Sequence, residues 1–285
     1  MNNFNFTGLM APVFTPYFEQ NGKVNIDVIE SYVQLLVANK VRGILVNGTT
    51  GEGMLLSTAE RMLVTEVWHE ACKKHAITMM VQIGGAPYPD VVQLAKHASK
   101  IGVDAVLCLP ELYFKPKTSE QLVRYLKGIA AHCRTTPFFY YHIPMFTDVN
   151  IFMPSFMDMA EKEIDNFRGI KYTNGNLEEG SACLKEGRIV FLGADTILCA
   201  GIAAGFESFI LTTINIYPET LHEIIEAMNH GGKLTEARAK QQTLNKTIAS
   251  ILSSYGGDWV PAMKKAFTKR FPSIEIGQTR PPLNM

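Results

Sequence analysis

Gly43-Ile44-Leu45-Val46-Asn47 is an unbroken apolar run ending on a polar residue, and the helical periodicity that follows over 57–74 makes the two one strand–helix unit. Ser57, with Glu60 three residues on, marks the start of that helix as an N-cap. The same unit recurs on both sides. Upstream, Leu9-Met10-Ala11-Pro12-Val13-Phe14 precedes a helical pattern over 27–40. Downstream, Thr78-Met79-Met80-Val81-Gln82-Ile83 precedes one over 89–101, and Ala105-Val106-Leu107-Cys108-Leu109 precedes one over 119–133. Phe138-Phe139-Tyr140-Tyr141-His142-Ile143 leads to 154–162, and Arg168-Gly169-Ile170-Lys171-Tyr172-Thr173 to a weaker pattern over 177–185. Ile189-Val190-Phe191-Leu192-Gly193 leads to 196–204, and Ser208-Phe209-Ile210-Leu211-Thr212-Thr213 to 218–229. Eight units spaced by about 20 to 35 residues predict an α/β fold of the TIM (β/α)8 barrel class. Strands that are apolar throughout are buried on both faces, as a parallel sheet requires. An open doubly wound sheet is the rival, but no Gly-x-Gly-x-x-Gly follows the first strand. Helical patterns over 234–254 and 259–269 lie beyond the eighth unit. They divide the chain into a barrel domain, 1–230, and a C-terminal helical extension packed on it, 231–285.

Composition narrows the function. The chain has 285 residues, 47% of them hydrophobic and 19% charged, enough for a sizeable core and unlike a disordered chain. Its 27 Lys+Arg balance 27 Asp+Glu, so no overall field draws nucleic acid or an anionic membrane, and a neutral surface favours self-association. The five cysteines are scattered, with no Cys-x-x-Cys pair, and the seven histidines show no His-Glu-x-x-His spacing. Neither a disulfide framework nor a metal site is expected. The N-terminal stretch lacks the basic region of a secretory signal, and the longest apolar segment, near 197–206, is far shorter than a membrane span. A soluble, cytoplasmic protein is the expectation.

In a barrel of this class chemistry gathers at the C-terminal ends of the strands. The polar residues falling there include Thr15, Asn47, Thr49, Thr50, Glu52, Gln82, Tyr113, Tyr141, His142, Lys171, Thr173, Asp195, Thr212, Thr213 and Asn215. Lys171 stands out. Alternation places Lys171 and Thr173 on one face of the strand and Ile170 and Tyr172 on the other. An amine forced out of water inside a barrel is more readily neutral, and then condenses with a ketone or aldehyde to a Schiff base. The residues alone also allow Lys171 at the strand tip, its ammonium in solvent. Tyr141 fits either a core tyrosine or, if it points at Lys171 from the adjacent strand, a proton shuttle beside the amine. Gly48-Thr49-Thr50-Gly51-Glu52-Gly53 is a turn whose hydroxyls and N–H groups can cradle an anion. It lacks the Gly-Lys-Ser/Thr of a triphosphate loop, so a carboxylate suits it better. His142 takes the face opposite Tyr141, against a helix.

Three of these segments together resemble the dihydrodipicolinate synthase / N-acetylneuraminate lyase family of class I aldolases, in its animal-type lyase form: Gly48-Thr49-Thr50-Gly51-Glu52, Tyr141-His142-Ile143-Pro144 and Gly169-Ile170-Lys171-Tyr172-Thr173. The likeness runs from Gly8-Leu9-Met10-Ala11-Pro12 to Arg280-Pro281-Pro282. It implies that Lys171 forms an imine with the keto carbon of N-acetylneuraminate, that Thr49 and Thr50 hold its carboxylate, and that Tyr141 relays a proton as pyruvate and N-acetylmannosamine separate. No metal or cofactor is implied. Phe146 stands where the synthases carry an arginine, which argues against an aldehyde bearing a second carboxylate. Gly193-Ala194-Asp195 matches the lyases' tail-binding turn, with Thr196 replacing its glutamate; Thr212 replaces a serine, and Leu211 a glycine, adding bulk near the sugar. These departures keep open another 2-keto acid as substrate, such as a 2-keto-3-deoxy sugar acid or 4-hydroxy-2-oxoglutarate, and a catalytically silent keto-acid-binding barrel is the remaining alternative. Tyr113 matches a position lent to a neighbouring subunit's site, which implies a homotetramer.

Overall fold

The computed structural model describes residues 4–229 and 233–283. All eight expected strands form: β1 (Gly8–Pro12), β2 (Gly43–Val46), β3 (Thr78–Gln82), β4 (Ala105–Cys108), β5 (Phe138–His142), β6 (Phe167–Tyr172), β7 (Ile189–Leu192) and β8 (Ser208–Ile210). Each pairs in parallel with the next, and β8 closes on β1. The chain is a closed (β/α)8 barrel. Alternation along the strands sorts side chains into two cores. Met10, Leu45, Met80, Leu107, Phe139, Tyr141, Phe191 and Ile210 fill the interior. Leu9, Ile44, Val81, Val106, Tyr140, Ile170 and Leu192 face outward into the larger layer between strands and helices. Phe4 and Phe6 plug the N-terminal end, their rings 5.4 Å from Phe139 and 5.8 Å from Phe191.

The helix after β2 spans Thr58–His75 and opens on the expected capping box, with reciprocal hydrogen bonds between Ser57 and Glu60. Two segments differ from expectation. The eighth strand stops at Ile210 and passes into a 3-10 turn over Thr212–Asn215. The reason is chemical: the N–H groups of Thr212 and Thr213 donate to the Asp195 carboxylate and are lost to a strand ladder. After β5, Pro144–Thr147 forms an unforeseen helical turn, with Pro144 in the first-turn position that proline tolerates.

Helices Leu234–Ser254 and Trp259–Arg270 follow the barrel. The expected division between 230 and 231 lies outside the described residues. The first helix reaches the β7 loop, where Gln241 donates to the Asp195 carbonyl and accepts from the Cys199 N–H. The second reaches the turn after β2 through Lys264 and Glu52, 2.9 Å apart and both fully buried. No helix among the described residues is long and apolar enough to cross a membrane.

Candidate active site

Lys171 reaches the barrel interior because of an irregularity three residues before it. β6 pairs Phe167 with Phe138 and then Gly169 with Phe139, so Arg168 is an extra residue in the ladder. Phe167 therefore faces the outer layer while Lys171, four residues on, faces inward. Gly169 permits this: its φ is +155°, and a Cβ there would lie 1.8 Å from the Ile189 carbonyl oxygen. Lys171 is paired in register with Tyr141 on β5 and Phe191 on β7. Its side chain is 5% exposed, and Nζ donates to the Tyr141 hydroxyl at 3.0 Å while lying 4.2 Å from the ring centre. Among the described residues no carboxylate lies within ion-pair distance of it.

Tyr141 is buried, and its hydroxyl shares a 3.1 Å hydrogen bond with the Thr49 hydroxyl. Amine, phenol and threonine hydroxyl thus form one connected line. Thr50, the next residue, shares a 3.1 Å bond with Thr212, whose oxygen also accepts from the indole N–H of Trp259 at 3.2 Å. The turn carrying both threonines is tightly wound. Asn47 and Glu52 take left-handed backbone conformations, and a Cβ at Gly53 would lie 1.9 Å from the Asn47 carbonyl oxygen. Glu52 points away from the cavity. It accepts from Lys264 and from the Arg280 N–H. Burial lowers the Lys264 pKa to about 8 against the opposing pull of Glu52.

These groups line a cavity of 420 Å³ at the C-terminal ends of the strands. Thr49, Thr50, Tyr141, Lys171, Thr173, Gly193, Asp195, Thr196 and Thr212 all border it, so eight of the sequence-selected substrate or catalytic positions meet Lys171 in one place. The Thr173 hydroxyl is buried and has no hydrogen-bond partner among the described residues. Gly193 lets it approach, since a Cβ there would fall 2.2 Å from that oxygen and 3.1 Å from Cε of Lys171. Asp195 is fully enclosed; burial raises its pKa, and hydrogen bonds from Thr213 and Thr212 oppose the shift. It accepts from the Thr213 hydroxyl at 2.6 Å and from the N–H groups of Thr213 at 2.7 Å and Thr212 at 3.3 Å. Its acceptor capacity is largely used within the protein.

Other expectations resolve differently. Leu211 adds no bulk to the cavity: it is fully buried in the outer core, because alternation in β8 and its continuation turns it away from the barrel axis. Asn47, Gln82, Thr15 and Asn215 are buried, but they tie loops together, as in the Thr15 hydroxyl donating to Gly51 and Asn215 to Pro12. His142 stacks on Tyr172 in the outer layer, as its strand position requires. Tyr113 is 83% exposed beside Phe114 and does not border this chain's own cavity. Trp259 was not foreseen. It sits at the start of a helix far along the chain, and nothing in the local pattern points it at the barrel mouth. Ile143, Pro144, Met145, Phe146 and Ile197 complete an apolar outer wall.

Known proteins resemble this chain over nearly its whole length. The dihydrodipicolinate synthetase family profile matches residues 5–283. N-acetylneuraminate lyase A of Xenopus laevis is 32% identical over 279 residues, covering 97% of this chain and 90% of that protein. N-acetylneuraminate lyase of Mus musculus is 30% identical over 281 residues, covering 97% and 86%. Among solved structures, N-acetylneuraminate lyase (sialic acid aldolase) of Aliivibrio salmonicida superposes with a TM-score of 0.91 at 32% identity, covering 98% of this chain and 91% of that one. The Proteus mirabilis N-acetylneuraminate lyase gives 0.90 at 31% identity, covering 97% and 92%.

Proposed function

We propose, since this chain belongs to the dihydrodipicolinate synthetase family, that it is a Schiff-base carbon–carbon lyase that reversibly cleaves N-acetylneuraminate to N-acetylmannosamine and pyruvate. The observation that carries the reading is the buried Lys171 amine, 3.0 Å from the Tyr141 hydroxyl and free of a carboxylate partner among the described residues. The relatives' names supply the substrate. Lys171 Nζ adds to the keto carbon, and water leaves as the imine forms. The protonated imine nitrogen draws the electron pair of the C3–C4 bond, while the C4 hydroxyl proton passes to the Tyr141–Thr49 line and the aldehyde departs. The enamine left behind takes a proton at C3, and water releases pyruvate from Lys171. The turn over 48–53 holds the carboxylate, and the unpartnered Thr173 hydroxyl faces the same cavity.

Phe146, 66% exposed at the rim, offers no charge to a second carboxylate. Thr196 and the enclosed Asp195 leave the polyol tail with fewer charged acceptors, so a shorter 2-keto acid is the second reading. We propose further that the protein works in the cytoplasm as a homotetramer, with the exposed Tyr113 turned toward a neighbouring subunit.

Borohydride reduction in the presence of pyruvate tests the chemistry. A reduced adduct should appear on Lys171, vanish in Lys171→Ala and persist in Tyr141→Phe, whose turnover should fall by about 100-fold or more. Pyruvate release from N-acetylneuraminate and from shorter 2-keto acids then decides the substrate. Wild-type protein that takes up no pyruvate on reduction is not an aldolase of this kind.

A further inference from the structure

An indole N–H can only donate a hydrogen bond, whereas a threonine hydroxyl both donates and accepts. Trp259 Nε1 lies 3.2 Å from the Thr212 hydroxyl oxygen, so that oxygen accepts. The hydrogen of Thr212 then has the Thr50 oxygen within reach, at 3.1 Å. With Thr50 accepting there, its own hydrogen is left to point elsewhere, and Thr50 borders the cavity that holds Lys171. Thr212 is also fixed from behind, because its N–H donates to Asp195, which additionally binds the N–H and hydroxyl of Thr213. Thr50 and Thr212 are 4% and 6% exposed, so solvent competes little for either hydroxyl.

We infer that Trp259 is a positioning residue that fixes the direction of this hydroxyl line, so that Thr50 presents a proton, not a lone pair, to the substrate carboxylate. The inference rests on the Schiff-base reading above, which brings a 2-keto acid carboxylate to the turn over 48–53. With the indole N–H, one of the two Thr212 lone pairs is already taken and its hydrogen is weighted toward Thr50; without it, nothing favours either direction of the Thr50–Thr212 pair. In the reversed direction Thr50 spends its hydrogen on Thr212 and sets an oxygen lone pair against an anionic oxygen. Trp259 thereby links the C-terminal helices to keto-acid affinity without touching the reacting atoms.

Trp259→Phe keeps a ring in place and removes the N–H. The half-saturating pyruvate concentration for borohydride trapping on Lys171 should rise about threefold to tenfold, the worth of one hydrogen bond, while the limiting trapping rate stays near the wild type. Thr212→Val removes the oxygen to which a reversed Thr50 would donate, so Trp259→Phe should weaken pyruvate no further in that background. Trapping of hydroxyacetone, which has the carbonyl but no carboxylate, should be the same in wild type and Trp259→Phe. An unchanged pyruvate dependence in Trp259→Phe, multiplying effects in the double variant, or equal weakening toward hydroxyacetone each overturns the inference. Wild type that traps neither compound overturns the Schiff-base reading, and the relay falls with it.

Discussion

At position 193 one methyl group is the difference between an open and a blocked cavity. A Cβ there would press on the Thr173 hydroxyl at 2.2 Å and on Cε of Lys171 at 3.1 Å, both distances below ordinary contact. Thr173 would have to rotate and Lys171 to withdraw from Tyr141. Gly193→Ala should therefore lower the rate of pyruvate trapping by about tenfold or more, equivalent to about 1.4 kcal/mol in the barrier, with the melting temperature close to the wild type. Wild-type trapping in that variant would show that the close approach is not needed. At this scale the sequence is legible where a residue violates its surroundings. Lys171 is a charge inside an apolar alternating run, and the Gly-Thr-Thr-Gly turn sits where such a barrel places its chemistry. It is not legible where the role depends on a distant partner. Asp195 gives its carboxylate to Thr212 and Thr213, and Trp259 reaches Thr212 across 47 residues.

Strands and turns show the same division. Eight apolar runs are enough to read eight strands, since each is buried on both faces. The extra residue at Arg168, which turns Phe167 outward and Lys171 inward, is invisible to a period-2 count made on either side of it. The outer face of β5 carries a testable consequence. His142 is fully buried, its ring stacks on Tyr172 at 5.4 Å, and neither ring nitrogen has a partner among the described residues. Burial lowers its pKa from 6.5 to about 4. Between those values the unfolded chain binds a proton that the folded chain refuses, so stability falls as the pH drops from 6.5 to 4 and this contribution is constant below that. The loss over that window is about 3 kcal/mol for a single histidine. Urea unfolding followed across pH 4 to 7 should show it, and His142→Phe, which preserves the stacked ring, should flatten that part of the curve. An identical pH profile in the variant would place the acid sensitivity elsewhere.

For the molecule as a whole, the C-terminal helices read from sequence as an appendage, yet they hold the site together. Lys264 lies 212 residues from Glu52 in the chain and donates to it at 2.9 Å, to the Thr15 carbonyl at 2.8 Å and to the Gln278 carbonyl at 3.1 Å. Arg280 adds its N–H to Glu52 and its guanidinium to Glu60, the capping residue of Thr58–His75. The turn bearing Thr49 and Thr50 is thus tied to the barrel on one side and to the chain's last segment on the other. Nothing local in the sequence signals this, because one charge sits in a turn and the other in a helix that otherwise reads as amphipathic. Removing one charge leaves its partner buried and uncompensated, which costs far more than removing both. Lys264→Met should lose about 3–5 kcal/mol of stability in urea unfolding, and Lys264→Met combined with Glu52→Gln should recover most of it, since glutamine can still accept from the Arg280 N–H. Pyruvate affinity should follow a different order. Both variants cut the tie between helix Trp259–Arg270 and the turn, so both should need more pyruvate for half-maximal trapping even where stability is restored. A double variant as unstable as the single one would mean that the packing around Lys264, and not the charge pair, holds the extension against the barrel.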